Sequence, residues 1–357
     1  MFRARTLLVL GAGASAEVGL PIGAKLLQEI VKLTDIRFDH QQISGDLHLL
    51  EALKLVLNEG RDVTRLNDHL HAAWQLGASA KQALSIDNVI DALEDKRVEL
   101  VGKLGIVRAI HEAERQSSYF KDQNGRFDQP YLNRFGGTWY DSFTKLLTEG
   151  VRKSEVAGIF DNLTIINFNY DRCVEQYLQF SLANYYGLGL EQIRELMPKL
   201  TIHRPYGIAG KLPWQEGNLP AVEFGGGQVI GTAQAASQIR TFTEQVEEGE
   251  DLRRIRAAVQ DAERIVFLGF AFHRQNLDLL AARAMPSAEV LATAYEVSKS
   301  DQAVIEQEVA TAFELEDSTT ERNIELADAT CAALFKDYWR TLTADARPSY
   351  EPQIFAA

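Results

Sequence analysis

Three short polar clusters hold the residue types able to position a substrate, move a proton or turn the backbone sharply. They are Asn167-Phe-Asn169-Tyr-Asp171, His203-Arg-Pro-Tyr-Gly207, and Gly269-Phe-Ala-Phe272 with Asn276 behind it. Each follows an apolar run: Ile165-Ile166, Thr201-Ile202 and Val266-Phe-Leu268. A fourth feature is the N-terminal Thr6-Leu-Leu-Val-Leu10 running into Gly11-Ala-Gly-Ala-Ser-Ala16 and Val18-Gly-Leu-Pro21. A strand feeding a glycine turn and a helix brings backbone N–H groups close to an anion such as a pyrophosphate. Gly11 would make the turn, Gly13 would admit the phosphates, and Ala16 is the small third position of G-x-G-x-x-G/A.

Each feature also has a plainer reading. Asn and Asp at a strand end commonly cap the next helix, and a lone histidine needs a partner and a cleft before it counts as a catalyst. The N-terminus also fits an ordinary strand-turn-helix that binds nothing. It fits a secretory signal as well, with Arg3 and Arg5 as the basic region and Ala14-Ser-Ala16 as the cleavage site. Two glycines interrupting the apolar stretch weigh against that last reading.

The surrounding pattern shows what must position these groups. Strands are predicted at Leu163-Thr-Ile-Ile166, Lys199 to Ile202, Arg264 to Leu268, Val290-Leu-Ala-Thr293 and Ile324-Glu-Leu326, most of them separated by helical segments. Near-continuous apolar strands alternating with helices imply a parallel sheet covered on both faces. A helix is predicted from Pro21 to about Leu33, and successive amphipathic helices from Asp46 to about Leu104. Among these, Asp46 caps a helix stopping at Gly60, another runs from Val63 to Gly77, and Ser85 caps a third. Residues 117–138 read as a long loop and Trp139 to Val151 as a further helix. The expected fold is α/β: a doubly wound, Rossmann-like parallel sheet from residues 1–32 and 155–345, with a helical insertion at 33–154 and a tail at 346–357. Such sheets bind ligands at the carboxyl ends of their strands, where the polar clusters fall.

Composition narrows the function. The 357 residues are 46% hydrophobic and 24% charged, ordinary values for a globular protein. No apolar run approaches the length of a membrane span. A net charge of −13 argues against a nucleic-acid groove, which needs clustered Lys and Arg. The acidic run from Glu244 to Asp251 reads as a solvated helix face. Two cysteines, Cys173 and Cys331, cannot make a four-cysteine zinc site and fit a reducing, cytoplasmic compartment. His69 and His71, two apart on a helix, face different ways and make a poor metal pair.

In order, Gly11-Ala-Gly-Ala-Ser15 with Gly19-Leu-Pro21, Ser85-Ile-Asp87, Asn169-Tyr-Asp171, His203 followed by Gly207, and Gly269-Phe270 with Asn276 resemble the bacterial branch of the Sir2-like proteins. The pattern departs from that family in three ways. The small-domain zinc cysteines of the deacetylases are missing, Ile22-Gly-Ala24 replaces Asp-Phe-Arg, and the His-Gly pair is stretched to His203…Gly207. A zinc-free helical insertion is what Sir2-like NAD hydrolases of antiphage defence show.

The resemblance implies cleavage of the bond between nicotinamide and ribose in NAD⁺, through an oxocarbenium-like transition state. It makes Asn169 the group that holds the ribose hydroxyls and the attacking water, and His203 the base. Asp171 would orient Asn169 and cap the following helix. Gly11, Ala12, Gly13, Ala14 and Ser15 would hold the pyrophosphate, with Pro21 and Asp87 in the same NAD-binding set, and Gly269, Phe270 and Asn276 near the adenosine. A free NADase would poison its own cell, so the resemblance also implies restraint, through a homo-oligomer, a partner ATPase/translocase or a phage-sensing protein. Two other functions stay open: an NAD-dependent protein deacylase, and a non-catalytic subunit binding NAD or ADP-ribose. A conventional dehydrogenase, with Asp35 as the ribose acid, lacks any visible hydride-transfer constellation.

Overall fold

The computed structural model describes residues 1–39, 42–58, 63–119, 136–218, 220–241, 249–315 and 323–346. Gly60, most of the 117–138 loop, residues 244–248 of the acidic run and nearly all of the tail lie outside the described residues.

The chain opens with β1 (Thr6–Leu10), the short α1 (Ala12–Ala16) and α2 (Gly23–Thr34). A small antiparallel hairpin follows, β2 (Arg37–Asp39) and β3 (Gln42–Ser44), which the sequence pattern had not suggested. Next come α3 (Leu47–Leu57), α4 (Val63–Ser79), α5 (Ile86–Leu93), α6 (Lys96–Gln116) and α7 (Trp139–Thr148). The second half holds β4 (Leu163–Asn167), α8 (Cys173–Tyr186), α9 (Leu190–Leu196), β5 (Thr201–His203), α10 (Val229–Ala236) and α11 (Glu250–Asp261). It ends with β6 (Arg264–Leu268), α12 (Arg274–Leu280), β7 (Glu289–Thr293), α13 (Lys299–Ala312), β8 (Ile324–Ala327), α14 (Cys331–Asp337) and α15 (Trp339–Thr343).

The fold is α/β. Six strands form one all-parallel sheet in the order β5-β4-β1-β6-β7-β8. Numbered along the sheet's own strands, this is 3-2-1-4-5-6, the doubly wound order whose direction reverses beside the first strand. Alternation along each strand feeds two apolar layers. Leu7 and Val9 of β1 join Ile265 and Phe267 of β6 on one face, and Leu8 and Leu10 join Val266 and Leu268 on the other. The first layer continues without a break into Leu49, Leu53, Leu66 and Leu104, so α3, α4 and α6 share a core with the sheet. In contrast, α7 places Trp139, Tyr140 and Phe143 in the opposite layer, against Phe335 of α14.

Local boundaries follow the expected chemistry with instructive shifts. Asp46 Oδ1 accepts from Leu49 N at 2.7 Å and caps α3, and Ser85 Oγ accepts from Asn88 N at 3.3 Å at the start of α5. However, α3 ends at Leu57, where Asn58 takes the left-handed conformation at φ 53°. Gly77 does not stop α4; a Cβ there would lie 3.5 Å from Val31, an ordinary contact. The helix after Asp95 runs on to Gln116, well past Leu104. Gly102 and Gly105 had obscured it. Each sits mid-helix where a Cβ would come within 2.7 Å of Ile90 or Ile30, so glycine serves helix packing there. Finally, β5 extends to His203, one residue beyond the expected strand, and His203 pairs with Ile166.

Candidate functional site

Parallel pairing sets Asn167 and Leu268 beside Leu10, so three loops leave the sheet side by side. The glycine turn is bound to the loop after β6. Gly11 N donates to Leu268 O at 3.0 Å and Gly13 N to Gly269 O at 2.9 Å. A Cβ on Gly11 or Gly13 would meet the Gly269–Phe270 backbone within 2.7 Å. The glycines are therefore required by the contact between two loops, and the Gly13 N–H is already engaged. Gly269 itself is left-handed at φ 57°, and a Cβ there would lie 2.2 Å from Ala14 N.

That contact gives a sharp stability test. Gly269→Ala is expected to destabilise the fold by at least about 3 kcal/mol, since strain and a backbone clash coincide. Gly187→Ala, at φ 58° with nothing within 4 Å of the new Cβ, carries only the strain, about 1 kcal/mol. Thermal melts of the two variants measure the difference, and equal losses would contradict the packing role.

The loop after β4 builds the polar centre. Asn167 Oδ1 accepts from Asn169 N at 2.9 Å and turns the chain. Asn169 Nδ2 donates to Gly11 O at 2.9 Å and to Ser15 Oγ at 3.2 Å, and Ser15 Oγ donates to Asp171 Oδ2 at 2.7 Å. Because Gly11 O can only accept, the amide must present its NH₂ group here. Asp171 Oδ1 takes Cys173 N at 3.0 Å and so holds the first turn of α8. Asp171 is 2% exposed. Burial raises its pKa above the usual value, against the opposing pull of Ser15, Cys173 N and Arg204. From the loop after β5, the Arg204 guanidinium donates to the carbonyls of Asn169 and Asp171, both at 3.0 Å, and to Glu175 Oε1 at 2.6 Å.

Beside this chain of bonds lies a cavity of about 130 Å³. Ala12, Ser15, Pro21, Asp87, Asn169 and Asp171 line it, and apolar walls come from Leu20, Leu26, Ile110 and Phe168. Six of the residues expected from the sequence therefore border one space. The others stand behind or across from it. Gly11, Gly13 and Gly269 form the loop contact just described, and Ala14 offers its carbonyl to Trp139 Nε1 at 2.7 Å on the far side. Phe270 packs edge-on against Phe168 with centroids 5.1 Å apart, and Asn276 Oδ1 accepts from Tyr206 OH at 2.5 Å. Those last two contacts join the loops after β4 and β5 to the segment that follows β6.

His203 is not among the residues that line this cavity. As the last residue of β5 its direction is set by the strand's pleat, where a one-residue shift reverses the face. It is half-buried, and burial lowers its pKa, with Arg254 adding to the effect and Asp251 opposing it. Its charged neighbours are thus on α11, and the cavity is lined by other residues. Sequence reasoning passed over Arg204 and Tyr206, which the same cluster delivers to the Asn169 loop and to Asn276. Their signal was present in His203-Arg-Pro-Tyr-Gly207, a polar cluster longer than a simple strand exit requires.

Among the described residues no group of three or more His, Cys, Asp or Glu is placed to hold a metal, and Cys173 and Cys331 are both buried thiols. No helix of the described residues is long and apolar enough to cross a membrane. Asp35 is exposed and paired with Arg37 at 2.8 Å. Neither protein-family models nor the curated proteins give a match to this sequence.

Proposed function

We propose that the chain is a Sir2-like NAD⁺ hydrolase of antiphage defence, acting in the cytoplasm and restrained until a homo-oligomer or partner releases it. One observation carries this reading. The run Gly11 O–Asn169 Nδ2–Ser15 Oγ–Asp171 fixes a carboxamide on the wall of a cavity at the carboxyl ends of β1 and β4. With Nδ2 held by Gly11 O and Ser15, Oδ1 is the atom that would accept from a ribose hydroxyl or the attacking water. The reaction breaks the C1′–N bond, passes positive charge to the ribose and ends with water on C1′. Nicotinamide leaves as the neutral base, and one proton is released. A preorganised negative group is what such a transition state needs, and the Asp87 carboxylate borders the same space.

A dinucleotide needs a site of several hundred Å³, larger than this cavity of about 130 Å³. NAD⁺ binding would therefore open this conformation, in which the Tyr206–Asn276 bond and the Phe168–Phe270 contact are the fastening. Nicotinamide release from NAD⁺ is the test, run on the wild type and on Tyr206→Ala. Release without any acetylated peptide supports hydrolysis. Release only with the peptide would make the chain a deacylase, and binding of NAD⁺ with no release from either protein would make it a regulatory subunit. His203→Ala is expected to keep at least about a tenth of the activity, since loss of a positioned base typically costs 10²-fold or more. A loss that large would mean the imidazole turns into the cavity during turnover.

A further inference from the structure

The loop after β5 takes up every carbonyl of the stretch that carries Asn169. Arg204 Nη1 donates to Asn169 O and Asp171 O, both at 3.0 Å, and Ala209 N donates to Tyr170 O at 3.0 Å. These three buried residues lie between the end of β4 and the start of α8, outside both ladders of backbone bonds, so their carbonyls need partners from elsewhere. The other edge of the guanidinium is fixed in turn. Its Nη2 donates to Glu175 Oε1 at 2.6 Å, in the first turn of α8, and the two side chains are only 11% and 4% exposed. One planar group thus binds a carboxylate and two carbonyls in set directions, which the point charge of an ammonium cannot reproduce. The Asn169 side chain is held separately, by Gly11 O and Ser15 Oγ. Backbone clamp and side-chain bonds together fix the carboxamide on the cavity wall.

We propose that Arg204 is a positioning residue for the Asn169 carboxamide, acting through the carbonyls of Asn169 and Asp171 with Glu175 as its anchor. Arg204 is not among the residues lining the Asn169 cavity, so its effect on turnover passes through Asn169. That effect on turnover rests on the hydrolase reading above, whereas the positioning does not. The same donor pattern recurs at the opposite end of the sheet. Arg264, the first residue of β6, donates to Leu342 O at 3.4 Å, to Ala344 O at 3.3 Å and to Glu289 Oε2 at 2.7 Å. Arg264→Lys therefore loses what Arg204→Lys loses, at a place remote from the cavity.

Amide hydrogen exchange, nicotinamide release and thermal melts of the full chain test the proposal. The amides of Asn169 and Cys173 donate to the side chains of Asn167 and Asp171. Arg204→Lys should speed their exchange at least about tenfold, and Arg264→Lys should leave it unchanged. Arg204→Lys should also lower kcat at least about tenfold with KM within about threefold of wild type, because a slightly misplaced group loses much of its effect. Arg264→Lys should keep kcat whatever it costs in Tm. In an Asn169→Ala background, Arg204→Lys should cost no more than about a further twofold, a non-additivity that lost stability alone does not produce. If Arg204→Lys melts as an unfolded chain, Glu175→Gln takes its place in each measurement, with at least about a threefold effect expected from the weakened anchor. The proposal is overturned if exchange at Asn169 and Cys173 is unchanged, if kcat falls equally in the two lysine variants, or if the Arg204 loss persists in full without Asn169. Faster exchange in Arg204→Lys, with no nicotinamide release from the wild type, would overturn the hydrolase reading and still support the positioning.

Discussion

Asn169→Ala is expected to lower nicotinamide release by about 10²–10³-fold, the usual effect of removing one preorganised polar group from a transition state. The loss should fall mainly on kcat, because the proposed Oδ1 contact strengthens only as charge develops. The fold should survive. Gly11 O keeps the N–H of Ala14 at 2.9 Å, Ser15 keeps Asp171, and the loop backbone stays tied to Asn167 and Arg204. Removing the two Nδ2 bonds should cost only about 1–2 kcal/mol of stability. Rate and melting temperature therefore separate a chemical role from a structural one. Activity within threefold of the wild type would remove Asn169 from the mechanism.

What the sequence disclosed divides along physical lines. Four of the six sheet strands, β1, β4, β6 and β7, are apolar runs buried along nearly their whole length and were legible for that reason, whereas β5 and β8, at the two edges, are shorter and only partly buried. The insertion was legible as helical through its spacing, except where Gly102 and Gly105 replaced the expected apolar marks in α6. The glycine turn was legible as a turn, yet the reason for its glycines was not. That reason is Gly269, more than 250 residues away in the chain, pressed against Gly11 and Gly13. Asn169 stood out by type and position, but its partner Ser15 lies 154 residues earlier and only the sheet brings them together. His203 was legible as a histidine at a strand end, and the structure makes it the last residue of β5, outside the residues that line the Asn169 cavity; a pattern fixes such ends only loosely.

The buried pair Arg172–Glu114 was equally invisible from sequence, and it yields the largest expected stability effect. Both side chains are fully buried. Glu114 accepts from Arg172 N at 3.1 Å, from its guanidinium, and from Gly225 N at 2.9 Å, while Arg172 also donates to the carbonyls of Gly210, Val222 and Glu223. One ion pair thus ties α6, the start of α8 and the loop beyond Tyr206 together. Burial alone would raise the Glu114 pKa, but the Arg172 charge and hydrogen bonds prevail and hold it below the usual value. Glu114→Gln leaves the guanidinium buried without a counter-charge and should cost about 3–5 kcal/mol in urea unfolding at pH 7. Replacing both partners by leucine and methionine should recover most of that loss, and a single-variant cost below about 1 kcal/mol would contradict a desolvated pair. Acid should weaken the same junction. His111, bonded through Nε2 to Ala209 O at 2.8 Å, is held down to a pKa of about 4, chiefly by burial with Arg172 adding. Between its unfolded value of about 6.5 and that folded value, the unfolded chain binds more protons than the native one. Stability is therefore full above that window and falls as pH drops through it. His111→Phe should flatten the decline, and an unchanged slope would place the acid sensitivity in other groups.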